Sequence, residues 1–340
     1  MTTTVPSLTE ERQAEGVRLH RIIMGYLSSK AVFAAVELGV FDALEQGPCT
    51  AEELGSKVGL EGRPARQLLL ALLGEDLIRR DGDRYANNDV SSTFLVSDSP
   101  TSMGPLIAHQ NTHFGKFARL TEALRENQPV RTGDNYSGMF AGAEDWARQL
   151  AAVTQASAWI QAEGLAKKAT LTGHRHLVDL GCGSGGYSIA LARANPDVRI
   201  TAVDQPAVAE VARKAVEEAG LSGQVTVRPA NVFVDTFHDC DVAMISHVLE
   251  GFEPERARGM IEHVYGWLPD GGELLMHTHT PERSSVPFPY MLGLILVVNN
   301  TQGGEVYGER ISRRWMEEAG FRDVQVTAVS PISAIFRGTK

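Results

Sequence analysis

The sequence predicts an α/β protein with a mostly parallel, doubly wound sheet that ends in an antiparallel hairpin and follows a helical domain. From about residue 171, short apolar strands alternate with helical segments, as in a parallel sheet covered by helices. Before that point, apolar residues recur at helical spacing and a short hairpin follows. A length of 340 residues also favours more than one domain. We expect domains at residues 1–100 and 171–340, joined by a helical connector and pocket segment at 101–170.

The composition excludes several classes of protein. Acidic residues outnumber basic ones by 42 to 32, and the net charge of −10 disfavours nucleic acid and anionic membranes as partners. The three cysteines are far apart and form no CxxC pair, which is typical of a reducing compartment. The N-terminal residues carry no apolar signal, and the longest apolar run, YMLGLILVV, is half of a membrane span. We expect a cytoplasmic protein.

Residues 17–97 are expected to form helices closed by a hairpin. Helical spacing of apolar residues between positions 17 and 44 predicts one amphipathic helix or a helix pair. Thr50 and Glu53 have the capping-box spacing that starts the next helix, and a further helix is expected from Gly62 to Leu73. The segment LIRRDGDRYANN places an Asp-Gly turn between two short strands.

This order of helices and hairpin suggests a winged helix, so a DNA-binding regulator is one hypothesis. The second helix, GRPARQLLLALLG, offers only Arg63 and Arg66 to DNA, and its leucines suit a core or a subunit interface. Residues 1–100 carry 10 basic and 15 acidic side chains, whereas binding to DNA needs a positive face. We therefore expect no nucleic-acid partner.

The second half of the chain supplies the sheet. Residues 101–170 look helical, including the stretch DWARQLAAVTQASAWIQAEGLAKKA. Helices are expected to begin at Tyr187, Ala207 and Pro254, and a last one covers ISRRWMEEAGF. The expected strands are HLVDLG, VRITAVD, QVTVRPA, DVAMISHV and GELLMHTH, and then a closing pair in VQVTAVS and AIFRGT.

A glycine-rich turn follows the first strand of this sheet, where such sheets bind nucleotide-type ligands. Asp204, which ends the second strand, is placed to accept the ribose hydroxyls of an adenosine group. The glycine spacing also matches GxGxxG, so an NAD enzyme is an alternative. Asp179 argues against it, because a dinucleotide fingerprint is apolar there and a carboxylate suits a cationic ligand. The turn reads VDLGCGSGG and supplies Asp179, Gly181, Gly183, Gly185 and Gly186.

Together these motifs resemble the S-adenosylmethionine-dependent O-methyltransferases of small molecules. That family joins a winged-helix dimerisation domain to a Rossmann-like class I methyltransferase domain, and the resemblance covers nearly the whole chain. It implies a homodimer formed through the N-terminal domain. The matching stretches are AAVELGVFDALEQGPCTAEELGSKVGL, LLLALLGEDLIRR, VDLGCGSGG, VDQPAV, WLPDGGELLM and GGEVYGERISRRWMEEAGF.

The resemblance also implies roles for individual residues. Asp179 and the glycines would contact the methionine part of the cofactor, Asp204 the ribose, and Gln205 would lie beside the adenine. Where the family commonly has an acid and two large apolar residues near the adenine, this chain has an amide first. Those positions are Asn231, Val232 and Phe233, and Ser246 and His247 would flank the methyl-donor end.

The chain departs from the family at the catalytic base. O-methylating members have a Leu-His-Asp-Trp run after the fourth strand, and here the residues are Leu249, Glu250, Gly251 and Phe252. We expect Glu250 and His247 to be catalytic, with Glu250 as the base if burial raises its pKa toward neutrality. Glu250 could instead bind a cationic acceptor, or be an ordinary acid at a helix start.

Further candidates surround the expected acceptor pocket. His277 and His279 share one face at the end of the fifth strand, and His109 and His113 share a helix face. Either pair offers a metal site or a replacement base, but no carboxylate-completed ligand set is visible, so we expect no metal. The segment PFPYMLGLILVVNN resembles the family's substrate-lining helix. The expected substrate-binding residues are His109, His113, Phe288, Met291 and Asn299.

We therefore predict a homodimeric methyltransferase that uses S-adenosyl-L-methionine to methylate a small organic acceptor of specialised metabolism at O, C or N. An alternative keeps the cofactor but catalyses cyclisation, rearrangement or hydroxylation without methyl transfer.

Overall fold

The computed structural model describes residues 9–130, 161–299 and 303–340. The stretch DWARQLAAVTQASAW, expected to be helical, lies outside the described residues. The chain divides into two compact units, Met1–Asn111 and Thr112–Lys340. Among the described helices, none is both long and apolar enough to cross a membrane.

The first unit has the expected order of helices and hairpin. The N-terminal apolar segment is a helix pair, because Gly39 adopts a left-handed φ of 70° and ends the first helix before the second begins. Strands β1 (Ile78–Asp81) and β2 (Arg84–Asn87) form the antiparallel hairpin. The helices of this unit are Glu10–Glu37, Val40–Glu45, Ala51–Val58, Arg63–Gly74 and Asp89–Phe94.

The capping box at Thr50 is confirmed. The Thr50 hydroxyl accepts a hydrogen bond from the Glu53 backbone N–H at 3.2 Å, and the Glu53 carboxylate accepts one from the Thr50 N–H at 2.9 Å. Two backbone donors that a helix start leaves open are thereby satisfied.

The N-terminal half of the helix Glu10–Glu37 exposes a large apolar surface. Ile22 and Tyr26 are 63% and 54% exposed, while Ala35, near the end of the same helix, is fully buried in the core of the unit. A surface helix normally turns its apolar residues inward. The remaining exposed apolar side chains of this surface are Val17, Leu19, Ile23, Met24 and Leu27.

A seven-stranded sheet forms the centre of the second unit, in the order β5-β4-β3-β6-β7-β9-β8. The first five strands are parallel, and β9 is antiparallel to both of its neighbours, β7 and β8. The predicted sheet with its closing hairpin is thus confirmed. The strands are β3 (His176–Leu180), β4 (Arg199–Asp204), β5 (Val225–Pro229), β6 (Val242–Ser246), β7 (Glu273–His279), β8 (Arg322–Ser330) and β9 (Ser333–Thr339).

Helices cover both faces of this sheet. Leu177 and Val178 are neighbours on β3, yet they pack into different hydrophobic clusters because successive side chains of a strand point to opposite faces. Both faces are therefore buried, as in most parallel sheets. Residues 161–168 are also helical. The other helices after the first unit's core are Gly104–Phe117, which crosses the boundary between the units, Leu120–Glu126, Gly186–Ala194, Pro206–Glu218, Pro254–Trp267, Phe288–Asn299 and Gly308–Ala319.

Candidate active site

The carboxyl ends of the parallel strands bring the predicted site residues to one edge of the sheet. The glycine turn follows β3, Asp204 ends β4, and Asn231 follows β5. Glu250 follows β6, and His279 ends β7. This edge is where α/β sheets of this kind bind their ligands.

The glycine turn needs glycine for two physical reasons. Gly181, Gly183 and Gly185 all have left-handed φ values, between 57° and 79°. A Cβ at Gly181 would also lie 2.6 Å from Cγ2 of Val248, which no side chain tolerates without a shift. The turn is held against β4, because the N–H groups of Gly181 and Cys182 both donate to the Val203 carbonyl.

Asp179 is a buried carboxylate with one oxygen left open. Its Oδ2 accepts a hydrogen bond from Ser188 Oγ at 2.6 Å, while Oδ1 has no hydrogen-bond partner in the described part of the chain. Burial raises the pKa of Asp179 to about 7, although the Ser188 hydroxyl opposes this shift, and the charge of Asp204 adds to it. A buried anion with an open oxygen fits a cationic ligand group.

The Asp204 carboxylate is fixed by the backbone around it. Gly183 N–H donates to Oδ2 at 2.9 Å, and Gln205 N–H donates to Oδ1 at 2.7 Å. Burial raises the pKa of Asp204 despite these two bonds. Each oxygen keeps further acceptor capacity, so the carboxylate can receive a pair of hydroxyl groups.

The loop after β5 is organised by Asn231. Its side-chain Oδ1 accepts a hydrogen bond from the Phe233 N–H at 3.1 Å, so the carbonyl end is used in the turn and the amide NH₂ is the end that remains to donate. Phe233 packs edge-on against Phe252 with ring centroids 4.8 Å apart, and Val232 is partly buried.

Three histidines meet at the carboxyl ends of β6 and β7. The His247 ring centroid lies 4.3 Å from both the His277 and the His279 rings. His247 has a left-handed φ of 53°, which is uncommon for a residue with a side chain. The register explains the meeting, because Ser246 pairs with His277 across the two strands.

Glu250 lies within this cluster, and its side chain is almost wholly buried, with the residue only 4% exposed. Oε1 accepts hydrogen bonds from Thr278 Oγ1 at 2.6 Å and from the His279 backbone N–H at 3.2 Å. The Nδ1 atoms of His279 and His247 lie 3.2 and 3.4 Å from the same oxygen. Oε2 of Glu250 and Nε2 of His247 are buried without a hydrogen-bond partner among the described residues.

The raised pKa that would make Glu250 a base near neutral pH is not found, and the role of Glu250 stays a prediction. Burial alone would raise its pKa, but the hydrogen bonds and charges of His247 and His279 hold that pKa well below its ordinary value. Glu250 also lies in a short 3₁₀ turn, Leu249–Gly251, and Glu253 is the residue at the start of the following helix. Glu250 is therefore a buried anion among imidazoles. Burial and the neighbouring His279 lower the pKa of His247.

His277 belongs to a separate network of side-chain hydrogen bonds. Its Nδ1 bonds to Ser246 Oγ and its Nε2 to Ser333 Oγ, both at 2.9 Å. Ser333 Oγ in turn donates to Gln161 Oε1 at 2.6 Å. Both ring nitrogens of His277 are bonded to serine hydroxyls, whereas Nε2 of His247 has no partner among the described residues.

The predicted substrate residues fall into two groups. Phe288 is 5.8 Å from the His279 ring by centroids, and it and Met291 are largely exposed. Asn299 is buried, and its Oδ1 accepts a hydrogen bond from Lys116 Nζ at 2.7 Å. His109 and His113 share the helix Gly104–Phe117, but the boundary between the compact units falls between them. His113 is buried, and His109 is half-buried.

Family models match both parts of the chain. One described as the O-methyltransferase dimerisation domain matches residues 20–97, and one described as the O-methyltransferase domain matches residues 117–322. The chain belongs to the O-methyltransferase family. It is an S-adenosylmethionine-dependent methyltransferase that acts on a small organic acceptor.

Curated relatives of this methyltransferase share nearly its full length. The N,N-dimethyltransferase OxyT of Streptomyces rimosus is 30% identical, with 91% of each chain covered. The tetracenomycin polyketide synthesis 8-O-methyltransferase TcmO of Streptomyces glaucescens is 29% identical, with 94% of this chain and 95% of its own covered. The fold matches human N-acetylserotonin methyltransferase in complex with S-adenosylmethionine at a TM-score of 0.84, with 22% identity and 99% of each chain covered.

The sequence analysis did not predict two features of the site. Thr278 donates to Glu250, although alternation along a strand suggests that it points away from its histidine neighbours. The carboxylate that completes a cluster with His247 and His279 is Glu250 itself, three residues after His247. That spacing, together with two histidines at the end of the next parallel strand, was the available signal.

Proposed function

We propose that this enzyme binds S-adenosylmethionine across β3 and β4 and methylates an acceptor held at the cluster of His247, Glu250 and His279. The observation that carries the proposal is that two groups of polar side chains lie at the same edge of the sheet, one suited to the cofactor and one to the acceptor. One half offers an open buried oxygen on Asp179 and a backbone-fixed carboxylate on Asp204. The other half offers Oε2 of Glu250 and Nε2 of His247, which are buried and have no hydrogen-bond partner among the described residues.

The cofactor half of the site is proposed residue by residue. Asp179, with Gly181, Gly183 and Gly185, would hold the methionine part, and Asp204 the ribose. Gln205, Asn231, Val232 and Phe233 would surround the adenine, with Ser246 and His247 toward the methyl donor. When bound, S-adenosylmethionine supplies an electrophilic methyl group on a positively charged sulfur.

Glu250 and His247 are proposed as the catalytic pair. They would hold the acceptor's oxygen, nitrogen or carbon nucleophile beside the methyl group and favour its electron-rich form. Methyl transfer is an in-line displacement, so this positioning supplies much of the acceleration. His109, His113, Phe288, Met291 and Asn299 remain proposed contacts for the acceptor. The relatives' products support an acceptor of specialised metabolism, and no finding favours chemistry without methyl transfer.

The test of the catalytic pair is Glu250→Gln. The amide keeps the shape of the side chain but removes its charge, so kcat should fall by about 10² or more while S-adenosylmethionine affinity is retained. Glu253→Gln is the matched control, because Glu253 is an exposed acid three residues further on, and its kinetics should match the wild type. Wild-type kcat in Glu250→Gln would remove Glu250 from the mechanism.

The assembly and location are part of the same proposal. The exposed apolar surface of the helix Glu10–Glu37 and the matched dimerisation domain support a homodimer formed through the first unit. The three cysteines are buried and free of disulfides, which supports a cytoplasmic location.

A further inference from the structure

The cluster of His247, Glu250 and His279 has the composition of a metal centre. One ligand atom from each residue lies within 4.8 Å of the other two, and no other set of three or more such residues in the described parts of the chain does so. Two imidazoles and one carboxylate are a donor set that proteins use for zinc and for other first-row transition metals.

The polar contacts of Glu250 are concentrated on one of its two carboxylate oxygens. Four nitrogen or oxygen atoms approach Oε1, although one carboxylate oxygen has acceptor sites for about two. Oε2 of the same group, buried, has no partner among the described residues. Thr278 Oγ1 and the His279 N–H donate to Oε1, and both imidazole Nδ1 atoms converge on the same oxygen.

We propose that His247, Glu250 and His279 bind a divalent transition-metal ion such as Zn²⁺, with each imidazole contributing Nδ1. Metal–ligand distances near 2.1 Å place neighbouring ligand atoms about 3 to 3.5 Å apart in tetrahedral or octahedral geometry. The Nδ1 atoms of His279 and His247 lie 3.2 and 3.4 Å from Glu250 Oε1, inside that range. An ion held between these three atoms would be bound by both Nδ1 lone pairs and by the carboxylate of Glu250.

The neighbouring residues hold this donor set in position. Thr278 Oγ1 and the His279 N–H donate to Glu250, as outer-shell partners of ligating carboxylates commonly do. His277 is excluded as a ligand, because both of its nitrogens are bonded to serine hydroxyls. Mg²⁺ and Ca²⁺ are the wrong ions, since they prefer oxygen ligands.

The ion would define the class of acceptor, an inference that rests on the proposed function. Three protein ligands leave coordination positions open for substrate. An acceptor with two adjacent oxygens, such as a catechol or an α-hydroxy ketone, fills two of them and releases its proton to water on binding. The acceptor's lone pair then forms the bond to the methyl carbon, and the carbon–sulfur bond breaks with its electron pair kept on sulfur. Glu250 is then a ligand and not a general base.

Metal retention by the full-length protein tests the site directly. The chain is stripped with a chelator, loaded with Zn²⁺ or Co²⁺, desalted and measured by elemental mass spectrometry. We expect one Zn²⁺ or Co²⁺ per chain, no retained Mg²⁺, and visible Co²⁺ absorption bands typical of nitrogen and oxygen ligation. Retention of less than about a tenth of an equivalent by the wild type would overturn the proposal, since a three-ligand site holds its ion through desalting.

Variants locate the ion. His279→Ala and Glu250→Gln should weaken Zn²⁺ binding by more than about 100-fold, because loss of a ligand exceeds the 10- to 100-fold cost of losing an outer-shell partner. His174→Ala is the matched control. His174 also lies between two carboxylates, with Nε2 3.1 Å from Glu273 and Nδ1 3.7 Å from Asp241, but at the amino ends of the strands. Loss of the ion in His174→Ala with retention in the other two variants would contradict the proposal.

Two further measurements keep the outcomes separate. Circular dichroism checks that each variant folds, and if His279→Ala does not, His279→Asn and the wild-type Co²⁺ spectrum carry the test. Calorimetry with S-adenosylmethionine on metal-free protein tests the cofactor site independently. Cofactor binding without metal retention refutes the metal centre alone, whereas absence of cofactor binding refutes the proposed function.

Discussion

Asp179 gives the cofactor site a pH dependence. Its pKa is about 7 because the carboxyl is buried, and a bound ammonium group would favour the ionised form. Cofactor affinity should therefore weaken as the pH falls below 7, by up to about tenfold per pH unit, because binding must first remove a proton. Calorimetric titration of S-adenosylmethionine between about pH 5.5 and 7.5 measures this. An affinity that does not change over that range would exclude Asp179 as the partner of the ammonium group.

The same residue should lower the stability of the empty protein. A carboxyl whose pKa is raised on folding holds its proton more tightly in the native state, so stability falls as the pH rises from about 4 to 7. Asp179→Asn removes this cost. At pH 8 it should raise the unfolding free energy of the cofactor-free protein by about 1–3 kcal/mol and abolish tight cofactor binding. A thermal melt that shows no gain at pH 8 would contradict the raised pKa.

Asp204 tests the ribose assignment. Asp204→Ala should weaken S-adenosylmethionine binding by about 1.5 to 3 kcal/mol, since a charged acceptor of hydroxyl hydrogen bonds is lost. Asp197→Ala is the control, because Asp197 is an exposed acid just before the same strand. Unchanged calorimetric affinity in Asp204→Ala would remove Asp204 from the cofactor site.

At the scale of the elements, the glycine turn after β3 allows the stability cost of backbone strain to be measured separately from that of a steric clash. Gly181 and Gly173 both have left-handed φ values, 78° and 89°, but only at Gly181 would a Cβ meet a neighbour, Val248. Gly173→Ala should lower the unfolding free energy by about 1 kcal/mol, and Gly181→Ala by about 2–3 kcal/mol. If the clash is real, the double variant Gly181→Ala/Val248→Ala should lose less unfolding free energy than the sum of its two single variants, because Val248→Ala removes the atoms that the new Cβ meets. Equal losses for Gly173→Ala and Gly181→Ala in denaturant melts would show that it is not.

The elements also show what a sequence can and cannot predict. Alternation of strands and helices, the Thr50–Glu53 capping box and the Asp-Gly hairpin were local signals, and the structure confirms them. The position of β9 between β7 and β8 was not predictable, because a hairpin can dock by either strand. The surroundings of Glu250 depend on the β6–β7 register, which brings residues 29 positions away into contact. That register places His247 and His279 against Glu250, and their contacts lower its pKa where burial alone would raise it.

At the scale of the whole molecule, the apolar surface of the helix Glu10–Glu37 predicts assembly. Light scattering should give about twice the chain mass of 36.9 kDa, as expected for a twofold dimer. Ile22→Arg places a charge in that surface and should shift the protein toward monomer, whereas Glu15→Arg, on the same helix, should not. A wild-type monomer at micromolar concentration would refute the proposed homodimer.

The left-handed backbone at His247 limits how this enzyme can evolve. Glycine and asparagine tolerate a φ of 53° best among the alternatives, whereas β-branched side chains are strained there. Substitutions at position 247 that keep the fold should therefore be mainly to these two residues, and neither of them carries an imidazole. Replacement of His247 by glycine or asparagine is expected to keep the fold and, on the proposed function, to remove the imidazole from the catalytic pair. A saturation library at position 247 sorted only for folding should be enriched in these two residues, and one sorted for turnover should return histidine.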